Sequence, residues 1–330
     1  MIAGGPLGGR AASAAHAGGH GAVRRPRRGA ALSERLAGRA FLACAVLAGA
    51  AAMAVAGVLA WESAAFFSQV SPARLLTDPS WTPLAEEPRF GILPLIAATA
   101  QIVAGAAAVA FPLGLLTAIY LQYYAGPRTG AVLTAAVTLL AAVPTVVYGY
   151  VALNFVTPAL RGILPGIEAF NAVSACLAVG VMILPTVALL SRSALAAVPH
   201  SVLETGMALG AARARVLTRA AIPAASRGIA AAMALALARA AGETMIVTLA
   251  AGNQARLAGN PLEGLRTLTA FIAQTSMGDP APGTIEHHAL ATVAAVLFLG
   301  GYAVCALARW LAARGQNPPG IQAAMLGRAR

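Results

Sequence analysis

Six apolar runs divide this 330-residue chain, at 41–60 and then about 91–121, 130–158, 169–190, 224–251 and 288–311. Each is long enough to cross the roughly 30 Å hydrocarbon core of a bilayer as a helix, so the pattern predicts six membrane spans. The first run follows a basic leader, as the apolar part of a signal peptide does. Its twenty residues exceed the roughly 7 to 15 of such a segment and fit a span instead. The expected fold is all-α and polytopic. Pro94, Pro112, Pro144 and Pro185 fall inside the second, third and fourth runs, where each removes a backbone hydrogen bond and bends the helix.

Composition agrees with a chain dissolved in lipid: 59% of residues are hydrophobic and 10% charged, with a mean hydropathy of +0.75. Too little polar surface exists to cover a water-soluble domain. The net charge is +12 and all 23 basic residues are arginine. These arginines sit at the ends of apolar runs instead of on one soluble face, which argues against nucleic-acid binding. Arg227 and Arg239 lie within the fifth run. With the amino terminus in the cytoplasm, Arg74, Arg89, Arg161, Arg256 and Arg266 fall outside and the other sixteen inside. That positive-inside bias places both termini and the 191–222 segment in the cytoplasm.

The division that follows is a disordered basic cytoplasmic tail over 1–39, a first span over 40–61, a periplasmic loop over 62–90, a five-helix core over 91–314 and a cytoplasmic tail over 315–330. The leader has no acid before Glu34 and too little apolar surface to fold alone. Trp61 and Trp81 are expected near the membrane interface. The outer loops, with Glu62, Asp78, Glu86 and Glu87 and then Glu263, Asp279 and Glu286, are candidate docking surfaces. Cys44, Cys176 and Cys305 are too scattered to form a ligand set, and His287 and His288 point about 100° apart on a helix. No metal site is expected.

One polar island interrupts the apolar pattern, at 201–223. Glu204 precedes Gly210 by six residues and Pro223 follows it by thirteen, predicting a helix, a glycine break and a proline where the chain re-enters the membrane. This arrangement resembles the EAA loop of ABC importer permeases, with Glu204, Gly210, Ile222 and Pro223 on matching positions. Thr205 and Gly206 stand where that family has alanines, and Ala220 where it has isoleucine. The strings Ala-Arg-Ala-Ala-Gly-Glu-Thr-Met over 238–245, Ala-Gly-Asn over 251–253 and Arg-Thr-Leu-Thr-Ala over 266–270 resemble the PstC permease of the phosphate-specific ABC transporter. The likeness spans roughly 90–314.

The resemblance implies a type I ABC importer permease (MetI-like) fold in a bacterial inner membrane and translocation of inorganic phosphate. It implies a second permease of PstA type, an ATPase subunit dimer and a periplasmic phosphate-binding protein as partners. Glu204, Thr205, Gly206, Leu209, Gly210 and Pro223 would couple to the ATPase. No Gly-x4-Gly-Lys-Ser/Thr loop is present, so the chain is expected to bind no cofactor and to be no enzyme, with ATP and magnesium on the partner. The rival readings are the PstA-type partner, a permease for molybdate or sulfate, and an ion-coupled secondary transporter.

The fifth run carries the candidate substrate path. Arg239 lies twelve residues beyond Arg227, about 18 Å along a helix, near mid-bilayer. A charge there costs roughly 2.5 to 3.5 kcal/mol on insertion scales. Glu243, four residues on, is expected on the same helical face, within reach of Arg239. A salt bridge is one reading. The other is an anion path through Arg239, Glu243 and Thr244, because guanidinium offers paired donors to phosphate oxygens and a carboxylate accepts the proton that hydrogenphosphate carries.

Overall fold

In the computed structural model, residues 28–83, 88–255, 259–278 and 280–313 are described. The expectations for 1–27 and 315–330, and those resting on Glu86, Glu87, Arg256 and Asp279, lie outside them. The chain divides into two units, one ending at Val55 and the other running Ala56–Arg330. The described part of the first is the leading stretch of α1 (Arg28–Gln69), where Phe41, Leu47 and Met53 are 74%, 71% and 75% exposed. Such apolar exposure suits a helix whose solvent is lipid.

In the second unit, α2 (Pro72–Thr77) and a two-residue hairpin, β1 (Trp81–Thr82) paired antiparallel with β2 (Arg89–Phe90), lead to α3 (Leu93–Ile119). A π-helical turn, Tyr120–Tyr124, ends that span. There follow α4 (Pro127–Ala142), α5 (Thr145–Val151), a second π turn Ala152–Val156, and α6 (Thr157–Arg161). Next are α7 (Ala172–Ala196), α8 (His200–Ala208), α9 (Arg213–Val216), a third π turn Leu217–Ala221 and α10 (Ile222–Ala241). The chain closes with α11 (Met245–Ala250), α12 (Leu268–Met277) and α13 (Ile285–Ala313). Five helices among the described residues are long and apolar enough to span a membrane, and the bent pair α4 with 145–161 makes a sixth.

Several boundaries differ from expectation. Residues 28–39, expected disordered, continue α1, because Ala, Leu, Glu and Arg are strong helix formers that extend an existing helix at little cost. The first span does not end near residue 61; α1 runs on through Gln69, so much of the expected 62–90 loop is helix or hairpin. The third run bends where Pro144 predicts it, by 91° between α4 and α5. Proline removes a donor there, and the hydroxyl of Tyr148 donates to the freed Leu140 carbonyl at 2.8 Å. Pro94 sits in the first turn of α3, where a missing N–H costs nothing, whereas Pro112 and Pro185 lie inside α3 and α7.

The core is built on α3 packed along α7, with Ile102, Val179, Ile183 and Val187 buried between them and α10 and α11 alongside. The approach is closer than larger side chains permit: a Cβ on Gly105 would collide with Cys176 Sγ and lie 2.9 Å from its Cβ. A second cluster joins the carboxyl end of α1, the hairpin, α12 and α13. Trp81, expected at the interface, is 1% exposed at its centre, edge-on to Phe271 at 5.2 Å and to Phe90 at 6.1 Å. Trp61 remains 78% exposed. His287 and His288, expected to diverge, both approach Glu62 of α1, at 3.9 and 2.7 Å, because the carboxylate lies between the two ring directions.

The α3–α7 contact is testable by volume. Gly105→Ala should lower stability by about 1–3 kcal/mol through overpacking. Adding Cys176→Ala removes the colliding sulfur and should restore part of the loss. Thermal unfolding of the detergent-purified protein measures both, and equal stability of Gly105→Ala and wild type would refute this packing.

Candidate functional site

Two places gather the residues singled out by sequence. The first is the connection between α7 and α10. Leu203 of α8 is buried with Val216, Leu217 and Ala221, which gives the short helix one inward face. Gly206 lies against Val216, whose methyl groups would be 2.7 Å from an added Cβ. The opposite side is open: Glu204 and Thr205 are exposed, Met207 is 46% exposed and Leu209 83% exposed.

The glycine break is a left-handed cap. Gly210 has φ +78, its N–H donates to the Met207 carbonyl at 2.9 Å, and Ala211 N–H donates to Gly206 at 3.2 Å. This pair of bonds is the Schellman pattern, which satisfies carbonyls a helix end leaves free. Pro223 opens the fifth span. It sits in the first turn of α10, directly behind the third π turn, so helix runs through it.

The second place is the end of α10, where the expected Arg239–Glu243 pair is not formed. α10 stops at Ala241, and Gly242, with φ −87 and ψ 1, turns the chain. The four-residue spacing therefore no longer stacks the two side chains. Glu243, 8% exposed, turns forward instead: its Oε1 accepts from the backbone N–H of Met245 at 3.1 Å and of Ile246 at 3.2 Å. It thus satisfies the first donors of α11. Its own carbonyl accepts from the Thr269 hydroxyl at 2.7 Å.

Arg239 stays in the last turn of α10, where a cation complements the helix dipole. Its Nε donates to the thioether of Met182 at 3.2 Å, a weak acceptor. It lies within electrostatic reach of the Tyr148 hydroxyl and has no carboxylate within ion-pair distance among the described residues. The remaining donors of its exposed guanidinium are uncommitted. Thr244 is half-buried, its hydroxyl donating to Gly242 O at 3.4 Å.

The 251–253 and 266–270 strings have no role assigned from sequence, and the structure gathers them beside Glu243. Thr267 caps α12 through Ala270 N at 3.1 Å and meets Thr269 at 3.0 Å, while Leu268 N–H donates to Thr99 at 3.0 Å. Arg266 binds the side-chain carbonyls of Asn253 and Gln274 and lies over Phe271, 5.5 Å from its centroid. Burial pushes its guanidinium below the usual arginine value. Two polar strings in an otherwise apolar chain were the available signal.

Residues 110–317 match the family described as binding-protein-dependent transport system inner membrane component. Among relatives, the chain is 31% identical to the probable ABC transporter permease protein YqgH of Bacillus subtilis, over 82% of this chain and 88% of that one. It is 29% identical to the phosphate transport system permease protein PstC of Mesorhizobium japonicum, over 83% and 87%. Among solved structures, it resembles one chain of a bacterial alginate ABC transporter in complex with a pentasaccharide-bound periplasmic protein, with a TM-score of 0.59 at 13% identity, over 84% of this chain and 95% of that one. That likeness speaks to fold alone.

The capping role of Glu243 separates two substitutions. Glu243→Gln keeps an acceptor oxygen and should cost less than about 1 kcal/mol, whereas Glu243→Leu orphans two buried donors and should cost about 1–3 kcal/mol. Arg239→Gln should change stability little. Thermal unfolding midpoints decide: a large loss on Arg239→Gln would mean that the arginine is the partner holding Glu243.

Proposed function

Because this chain belongs to the family of binding-protein-dependent transport system inner membrane components, multi-pass permease subunits of ABC importers, we propose that it is the PstC-type permease of an inorganic phosphate importer. The observation that carries this reading is Arg239. An exposed guanidinium at the broken end of α10, with uncommitted donors and no carboxylate partner among the described residues, suits a tetrahedral oxyanion that accepts two hydrogen bonds at once. Similarity to proteins named PstC supports the choice of phosphate.

Membership implies an ATPase and a substrate-binding protein as partners. In our reading the ATPase dimer engages the exposed side of α8, where Glu204, Thr205 and Leu209 project, and a PstA-type subunit completes the path. ATP and magnesium bind on the ATPase. The phosphate-binding protein docks on the opposite side of the membrane, and both termini of this chain are cytoplasmic. In this reading Glu243 acts indirectly, by capping the start of α11, and Thr244, next to it in the chain, belongs to the path.

The test is uptake by the reconstituted complex with phosphate, sulfate and molybdate offered separately. We expect ATP-dependent phosphate uptake that Arg239→Gln lowers at least about tenfold, equivalent to about 1.4 kcal/mol, with assembly and ATPase activity intact. Uptake of sulfate or molybdate alone assigns a different oxyanion, and uptake without ATP overturns the importer reading.

Coupling has its own test. A β-branched residue at Gly210 must adopt a left-handed conformation that costs roughly 1–2 kcal/mol. Gly210→Val should insert in the membrane but retain less ATPase on purification, and Gly210→Asn should retain more than Gly210→Val. Wild-type ATPase retention and uptake by Gly210→Val would refute the docking role of α8.

A further inference from the structure

Away from both sites, a groove of about 800 Å³ runs between α4, the π turn that ends α3, and α7. Its α4 wall extends from Pro127 to Ala142, about 22 Å at 1.5 Å per residue. Small residues, Gly126, Gly130, Ala131 and Ala135, keep it open, and Leu121 and Leu139 make it apolar. The one charged residue lining it is Arg192, whose Nη1 donates to Thr134 Oγ1 at 2.9 Å. Thr134 passes its own proton to the Gly130 carbonyl at 2.6 Å. Arg192 has no carboxylate within ion-pair distance among the described residues.

The groove is therefore amphipathic along its length. At the Gly126 end, Arg213 donates to the Tyr123 carbonyl and lies 5.1 Å from the Tyr124 ring centroid, and exposed Arg128 begins α4. Cations thus border one end, while Thr138, Leu139 and Ala142 line the other. A free hydrated anion gains nothing from apolar walls, and an unpaired peptide segment would leave its backbone unsatisfied there. An amphiphile with a phosphate head satisfies both ends.

We propose that this groove holds an anionic phospholipid, its phosphate on the remaining donors of Arg192, which Thr134 orients, and its acyl carbons along Leu139 and Ala142. Arg192 lies four residues before the end of α7, which leads into α8. The inference rests on the membrane location of the chain and is independent of the substrate.

The test uses the purified transporter complex in phosphatidylcholine nanodiscs with added phosphatidylglycerol, read by native mass spectrometry. Wild type should retain phosphatidylglycerol over phosphatidylcholine, and Arg192→Gln should lose about tenfold of that preference, as expected for one charge-assisted contact of about 1.4 kcal/mol. Gly130→Leu fills the groove without touching the charge, since a Cβ at that position meets only Ala125, at 3.5 Å; it should displace the lipid too. It decides the matter if Arg192→Gln fails to assemble. Retention unchanged in Gly130→Leu, displacement by inorganic phosphate, or quantitative cross-linking of Ala131→Cys to another protein subunit would each overturn the proposal.

Discussion

Inside a bilayer no water is available to a backbone N–H or C=O that a helix leaves unpaired, and each such group costs several kcal/mol. This constraint governs every place where a span of this protein stops short. At the end of α10 the chain turns within apolar surroundings, and the donors of α11 need an acceptor. Glu243 supplies it with one carboxylate oxygen, and its carbonyl takes the hydroxyl of Thr269. Thr267 and Thr99 complete the neighbouring cap of α12. The break in the fifth span and the segment before α12 satisfy one another, so neither is stable in this form alone. Arg239 is left outside that network, with its guanidinium exposed.

Much of this architecture was legible because it depends on one-dimensional patterns. Apolar run length gave the spans, and the polar island with Gly210 gave the helix, the break and the return. The pairing of Arg239 with Glu243 was misread for a specific reason. Spacing implies contact only while the helix continues, and 238–251 is apolar enough on both sides of Gly242 to hide the stop. Trp81 misled for a different reason: its type suits an interface, but much of its burial comes from Phe271 of α12, distant in sequence.

The α7–α10 connection shows how a short polar helix acquires a defined pose. Nine residues are too few to hold a helix by propensity, so Leu203 anchors α8 on Val216 and Leu217 while Gly206 lets it lie close. The Schellman cap then turns the chain without leaving carbonyls free. What remains outside is an acidic edge with Met207 and Leu209, more apolar surface than an isolated loop would expose. Such a surface needs a protein cover, which agrees with a family whose permeases work beside an ATPase.

Two of the three π turns follow from a related necessity. Proline inside a helix lacks a donor and its ring clashes with the carbonyl four residues back. Two of the turns lie directly ahead of a proline: Ala152–Val156 before Pro158, and Leu217–Ala221 before Pro223. Widening one turn shifts the carbonyl away and lets the helix resume, so neither proline stops its element. Pro144 has no such turn ahead of it; α4 runs straight to Ala142 and the chain bends by 91°. Helix continues through Pro158 and Pro223 behind such turns, and through Pro112 and Pro185 without one, whereas Pro144 stands at a corner. At Pro223 the result is a helix unbroken from Arg213 to Ala241, which runs from just past the Gly210 cap to the turn that follows Arg239.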